Sequence, residues 1–409
     1  MRQIDFWVGV PMTALLSGFL RLWRWLRPAP AATAGRDILF IELSEMGSTI
    51  LADPAMKRAQ SLFPDAALHF LIFTKNRPSL DIMSTVLPGN VLCIRADSLV
   101  VLVLDTLRAI VAMRRLDLAA AIDLELFSRY SSLLTLFSGA RRRVGFHRFH
   151  NEGLYRGEFL THRVAYNPHQ HIAKNFLALV HALDEADDTI PHTKRSFGDD
   201  EIRLESRRGE ADATARFRSR LIAAFPVLGA ARHWVLLNPN SSELMPLRRW
   251  PMANYAELAR RLLADDGVAL LITGVRSEQV EAQALIKACG SDRIVDLTGF
   301  TSMADLPLLY TLAAAMVTND SGPAHFAAPT GLKTVVLFGP ETPLLYGALN
   351  ENAEFVFAGL SCSPCVSAAN HRKSACTDAQ CMKAIQPAEV YRRVALHLAK
   401  RETIPALSQ

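Results

Sequence analysis

The chain has 409 residues, half of them hydrophobic and 21% charged, with a formal net charge of +5. That length and apolar content exclude a disordered chain and allow two or three domains with an ample core. The basic residues are scattered without a DNA- or RNA-binding motif, which argues against nucleic acid as a partner, and six cysteines in so long a chain do not make a disulfide scaffold.

Residues 6–20, FWVGVPMTALLSGFL, form an apolar run shorter than the ~20 residues that span a bilayer, and Pro11 interrupts it. Arg21, Arg24 and Arg27 follow at three-residue spacing beside Trp23 and Trp25, the make-up of an interfacial helix. Three of the five tryptophans fall in this stretch, where an aromatic belt is useful. Residues 1–35 therefore read as a membrane-anchoring helix and linker outside the fold, with a partial or full span left open. A secretory signal peptide is the rival, with small residues at 31–34 for cleavage; arginines between the apolar run and that site are atypical of one.

From Asp37 short apolar strands alternate with helical stretches: 38–43, 68–73, 91–94, 118–123 and a strand near 143–145. The turn after the first strand reads Glu45-Met46-Gly47-Ser48, with Asp53 one helical turn beyond. Arg141, Arg142 and Arg143, with His147, Arg148 and His150 behind them, are either a solvated loop or a patch that pairs with carboxylates or phosphates. A polar stretch at 184–215 breaks the alternation, with 201–204 as a possible strand. Strands then resume at 234–237, 269–273, 294–296, 315–318, 335–338 and 354–357, separated by helices such as 252–263 and 280–289. Alternation of this kind predicts two doubly wound parallel sheets, with ligands at the strand ends. The expected divisions are 36–225, 226–385 and a C-terminal helical segment, 386–409, packing back across the junction.

Residues 316–343, MVTNDSGPAHFAAPTGLKTVVLFGPETP, carry the strongest chemical signal. They predict a strand, a turn with N-cap chemistry at Asp320-Ser321, a helix with Pro323 in its first position, and a second strand. Amides around Ser321, Gly322 and Ala324 then stand unpaired at the positive end of a helix, and Gly322 lets a ligand approach the backbone, so a diphosphate fits there. Asp320 is a good acceptor for sugar hydroxyls, and His325 can donate to a sugar or phosphate oxygen. The plainer alternative makes Asp320 a cap and His325 a core residue; their placement in one strand-to-helix turn favours the ligand.

The pattern Asp320-Ser321-Gly322, His325, Ala327-Ala328, then Leu337 to Pro340, resembles the signature of family 9 glycosyltransferases, the heptosyltransferases that build the lipopolysaccharide inner core from ADP-heptose. Asp296-Leu297-Thr298-Gly299, Gly274 with Glu278, and Arg248-Arg249-Trp250-Pro251 precede it in the family's order, and the resemblance covers roughly residues 36–390. It implies a GT-B fold of two Rossmann-like domains facing a central cleft, acceptor in the first and donor in the second. The implied reaction is inverting transfer of a heptose-like sugar from an ADP-sugar to an acidic, lipid-linked saccharide at the cytoplasmic face of the inner membrane. No cofactor is required for it. Alternatives are a membrane-tethered nucleotide-sugar binding protein without transfer, and a protein O-heptosyltransferase. By the resemblance Arg248 faces the diphosphate and Glu278 takes the ribose hydroxyls, the alternative for Glu278 being a plain helix N-terminal residue; Ser241 and Ser242, in the loop before Arg248, either reach phosphate oxygens or are ordinary loop residues. Ser48, Arg141 and Arg143 fall on the acceptor side. Relatives carry Met-Gly-Asp where this chain has Met46-Gly47-Ser48, and that Asp is their general base. A serine hydroxyl has no useful basicity at neutral pH, which leaves Glu45 as the nearest base and Asp53 as the next.

Cys362-x2-Cys365 and Cys376-x4-Cys381 lie close together. Four thiolates can close a tetrahedral shell around a structural zinc or iron; free buried thiols and a disulfide are the alternatives.

Overall fold

The computed structural model describes residues 2–26, 35–149, 155–184, 190–207, 209–241, 245–367 and 373–400. The chain divides into two compact units, Met1–Ile202 and Arg203–Gln409.

In the first unit β1 (Asp37–Ile41), β2 (Leu68–Phe73), β3 (Val91–Ile94), β4 (Leu118–Asp123), β5 (Arg142–Phe146) and β6 (His162–Val164) form one parallel sheet in the order β3-β2-β1-β4-β5-β6. The central β1 is covered on both faces, which is why Ile38-Leu39-Phe40-Ile41 reads as an unbroken apolar run. The second unit repeats the winding with β7 (His233–Asn238), β8 (Val268–Ile272), β9 (Ile294–Asp296), β10 (Ala315–Asn319), β11 (Lys333–Phe338) and β12 (Ala353–Phe357), ordered β12-β11-β10-β7-β8-β9. Val235, Leu237, Leu270, Ile272, Val317 and Val335 meet Tyr255, Leu258 and Leu262 of the Met252–Leu262 helix in its core. The last helix, Pro387–Lys400, packs on that same helix and buries Val390 and Val394 there.

Three local expectations change. The stretch 201–204 is no strand: its first residues belong to a 3-10 turn, Asp200–Ile202. The chain divides at 202/203 rather than 225/226, because the Ala211–Ala224 helix packs on Leu306–Leu312 of the second unit. The amino terminus is also seated on the fold rather than outside it. It forms helices Arg2–Trp7 and Gly9–Leu26, and Pro11 lies in the first turn of the longer one, where its missing N–H costs little. Asp5 accepts from the backbone N–H groups of Arg129 and Tyr130, both at 3.0 Å, and pairs with the Arg129 guanidinium at 3.1 Å. Among the described residues no helix is long and apolar enough to cross a membrane. Most of the expected linker, 27–34, lies outside the described residues.

Candidate active site

In a doubly wound sheet the chain leaves the first and fourth strands in opposite directions, opening a crevice at their carboxyl ends. In the second unit these strands are β7 and β10, and each ends in a buried asparagine. Asn319 Nδ2 donates to the carbonyls of Pro239 (2.8 Å) and Asn240 (3.2 Å), while its Oδ1 accepts from the Trp250 backbone N–H (3.0 Å) and the Tyr255 hydroxyl (3.2 Å). Asn238 Nδ2 donates to Thr273 O at 3.0 Å. One amide on β10 thus fixes both the loop after β7 and the start of the Met252–Leu262 helix. Sequence reasoning passed over both residues; an amide ending an apolar strand was the available signal.

An ion triad sits on this frame. Arg248 Nε lies 3.3 Å from Asp320 Oδ2, one of its terminal nitrogens lies 3.0 Å from Glu341 Oε1, and the other donates to the Asp320 carbonyl at 3.4 Å. The three side chains are 14%, 6% and 2% exposed, so the charges are shielded from water and depend on one another. Arg248 and Asp320, far apart in the sequence, are brought together here. Glu341, which follows Phe338-Gly339-Pro340 after β11, was missed. A cation clamped between two carboxylates can exchange those partners for phosphate oxygens, and a released carboxylate can accept from hydroxyls.

The other residues expected at this crevice fare differently. Ser321 is the N-cap of the helix Gly322–Ala327, but its hydroxyl donates to Asn319 O at 3.2 Å instead of capping. That helix starts at Gly322, one residue before the expected Pro323, and tightens into the 3-10 turn Ala328–Thr330. A Cβ at Gly322 would come within 3.0 Å of the Phe326 ring, so the missing side chain makes room for Phe326. His325 is buried on the same short helix. Ser241 donates its hydroxyl to Met245 O at 3.2 Å, which commits it to the loop, and Ser242 lies outside the described residues. Glu278 accepts from the Val275 N–H at 2.8 Å, a cap on the turn entering the Gln279–Cys289 helix, and burial raises its pKa.

At the matching place in the first unit, between β1 and β4, carboxylates gather. Glu125 Oε1 accepts from the N–H groups of Leu43 (3.1 Å) and Ser44 (3.0 Å), and Glu42 accepts from the Ser44 N–H at 3.3 Å. Burial first, then the charges of Glu125 and Glu45, hold the Glu42 carboxyl well above its usual range, and burial lifts Glu125 as well. Burial also raises Asp123, against the pull of Arg156. Glu45 is the N-cap of Met46–Leu51, and Ser48 Oγ donates to its Oε2 at 3.4 Å. The turn that lacks a carboxylate at 48 therefore has one within reach of the Ser48 hydroxyl.

Asp53, the next candidate along the chain, is fully buried, paired with Lys57 at 3.0 Å and bonded by the Thr85 hydroxyl. Arg141 and Arg143 stand at the amino end of β5, away from the strand ends where ligands bind, and Arg143 donates to the carbonyls of Phe159 (2.7 Å) and Ala140 (2.9 Å). Past the carboxyl end of β5, His147 and Arg148 line a small polar cavity with Tyr155, Arg156 and Glu158. Burial, then the Arg163 charge, pushes the His147 pKa down.

None of the six cysteines is in a disulfide. The N–H groups of Cys365 and Val366 donate to Pro340 O at 2.9 and 3.0 Å, and Cys381 is buried against the end of β11. Burial, with Cys365 and Cys376 nearby, raises the Cys381 thiol pKa. Among the described residues no three His, Cys, Asp or Glu side chains are placed to hold one ion, so the thiols do not form a metal shell as they stand.

Paired doubly wound units with a ligand crevice at the strand ends are the architecture of the GT-B class of glycosyltransferases. The chain belongs to glycosyltransferase family 9 (heptosyltransferase), whose model matches residues 109–375. It is 30% identical over 118 residues to lipopolysaccharide heptosyltransferase 2 of Escherichia coli, which is 28% of this chain and 34% of that relative. A lipooligosaccharide heptosyltransferase 2 of Campylobacter jejuni is 28% identical over 160 residues, 38% of this chain and 47% of that one. The aligned stretches thus span between about a third and a half of these relatives' length. The fold matches an ADP-heptose lipopolysaccharide heptosyltransferase II of E. coli at TM-score 0.67 and 21% identity, covering 89% of this chain and 99% of that one. A family 9 glycosyltransferase of Veillonella parvula matches equally, at TM-score 0.67 and 16% identity, over 90% and 98%.

Proposed function

We propose that this chain is an inverting glycosyltransferase that moves a heptose-like sugar from an ADP-sugar to a lipopolysaccharide inner-core or other lipid-linked saccharide, working as a peripheral protein on the cytoplasmic face of the inner membrane. The observation that carries the donor reading is the Arg248–Asp320–Glu341 triad at the β7/β10 crevice. An E. coli heptosyltransferase of the same fold (TM-score 0.58) solved with ADP supports the donor class. In the reaction Glu45 takes the proton of an acceptor hydroxyl, whose oxygen attacks the anomeric carbon as the bond to the diphosphate breaks and ADP leaves. Arg248 offsets the charge that develops on the departing diphosphate, and Asp320 accepts from hydroxyls of the sugar. No cofactor takes part.

Calorimetry with ADP and ADP-heptose tests the assignment. Because Asp320 also holds Arg248, Asp320→Asn is the cleaner probe than Ala. Arg248→Ala should weaken both ligands by about 1.5–3 kcal/mol, the scale of a lost charged hydrogen bond. Asp320→Asn should weaken ADP-heptose while leaving ADP nearly unchanged. Equal losses for both ligands in Asp320→Asn would reduce Asp320 to a support for Arg248.

The cysteine segment we read as a structural site for zinc or iron, which would require the sulfurs to draw together from their present places. A neighbour of this fold, a dodecameric glycosyltransferase of enterotoxigenic E. coli (TM-score 0.51, 11% identity), is described as iron-containing. Metal analysis after reducing purification should find close to one ion per chain; none found rejects the site.

A further inference from the structure

The longer amino-terminal helix is inside out. Its small residues Gly9, Thr13 and Ser17, four apart, face the protein: Gly9 lies against the Arg129 side chain, Thr13 and Ser17 are buried, and Ser17 Oγ accepts from the Glu158 N–H at 2.9 Å. Met12, Leu15, Phe19, Leu22 and Leu26 make the outer stripe, each at least 40% exposed. A helix meant for water buries its apolar stripe; small residues inward and large apolar ones outward is the arrangement of helices that meet lipid.

A second helix, Leu99–Arg114, repeats the anomaly. It buries Ala109 and Met113 on the core side, yet Val100, Val103, Leu107 and Val111 form an outer stripe at 51–69% exposure. Both helices rest on the same support, the Arg129–Phe137 helix. Tyr130 on that support ties Leu99–Arg114 to the short Arg2–Trp7 helix, its backbone N–H donating to Asp5 and its hydroxyl sharing a 2.5 Å bond with Thr106. The Gly9–Leu26 helix has no carboxylate, and the sole one on Leu99–Arg114, Asp105, is buried between Arg95 (2.7 Å) and Arg108 (2.9 Å). Arg21, Arg108, Arg114 and Arg115 are exposed, so the charge left for a partner is positive.

We propose that the Leu99–Arg114 helix is a second membrane-contact element, which together with the amino-terminal helices seats the first unit on an anionic bilayer surface. Apolar stripes entering the acyl boundary with arginines at the headgroups satisfy both features at once. This rests on the peripheral membrane placement proposed above and adds to it a fixed seat in place of a tether.

The test uses the full chain and the variant Val100→Gln, Val103→Gln, Leu107→Gln, whose exposed positions leave the fold intact by thermal melting. Partitioning onto phosphatidylglycerol-containing vesicles should fall by about tenfold or more in the variant, since three apolar side chains no longer leave water. Vesicles of phosphatidylcholine alone should bind the unmodified chain more weakly. Equal partitioning of variant and unmodified chain overturns the proposal. So does a chain that ignores vesicles but forms a dimer that the variant dissolves, because a second copy would then cover this face. ADP binding, measured alongside, separates the readings: its loss in a chain that still binds vesicles counts against the donor site alone.

Discussion

The two sheets have the same winding, yet their central crevices offer opposite chemistry. Past β7 and β10 a single cation is clamped by two carboxylates on a frame tied by Asn319. Past β1 and β4 Asp123 pairs with Arg156, while Glu42 and Glu125 lean on backbone N–H groups and keep raised pKa values. The winding fixes where a crevice stands; the residues just beyond the strands fix whether it suits a departing anion or a hydroxyl that must lose a proton.

Four changes probe that contrast. Glu45→Gln should lower kcat by about 10²–10⁴-fold with ADP affinity unchanged, as expected when a general base is removed. An unchanged rate would move the base to another carboxylate of the first unit. Arg248→Leu should cost about 3 kcal/mol of stability, because Asp320 and Glu341 then stay buried without their cation. Adding Glu341→Gln should recover part of that loss, and strict additivity in denaturant melts would mean the triad is no unit. Asn319→Ala, which orphans two carbonyls and the Trp250 N–H, should cost about 2 kcal/mol. The smallest effect is expected for Glu42→Gln. A carboxyl whose folded pKa is raised keeps its proton longer folded than unfolded, so its contribution is intact below the unfolded value near ~4.3 and declines as pH climbs toward the folded one. Urea melts on either side of that window should show the variant gaining relative stability only at the higher pH; a gain that does not vary with pH breaks the assignment.

Much of the fold was legible. Strands 68–73 and 118–123 fall where the apolar runs put them, because a parallel strand covered on both faces leaves no polar alternation to misread; the edge strands 91–94 and 294–296 also fall on their apolar runs. The short β6 was missed: His162-Arg163-Val164 has no apolar run, and His162 is buried only by its surroundings. In the site, Asp320 and Arg248 stood out through a local pattern. Their pairing across 72 residues, and the arrival of Glu341 as the second carboxylate on Arg248, depend on where β7, β10 and β11 end side by side, which no local window contains. The place of Arg143 at the amino end of β5 was hidden for the same reason, since which end of its strand a cation occupies is set by the sheet.

Gly339 has one more consequence. A methyl group there would overlap Met382 Sδ and touch Cys381 Sγ at 3.0 Å, while Cys365 and Val366 grip the next carbonyl, that of Pro340. The cysteine segment is thus a wedge driven under the turn that presents Glu341. Anyone grafting this second unit onto another protein must carry residues 360–386 along with β11, or the transplanted turn arrives without its floor.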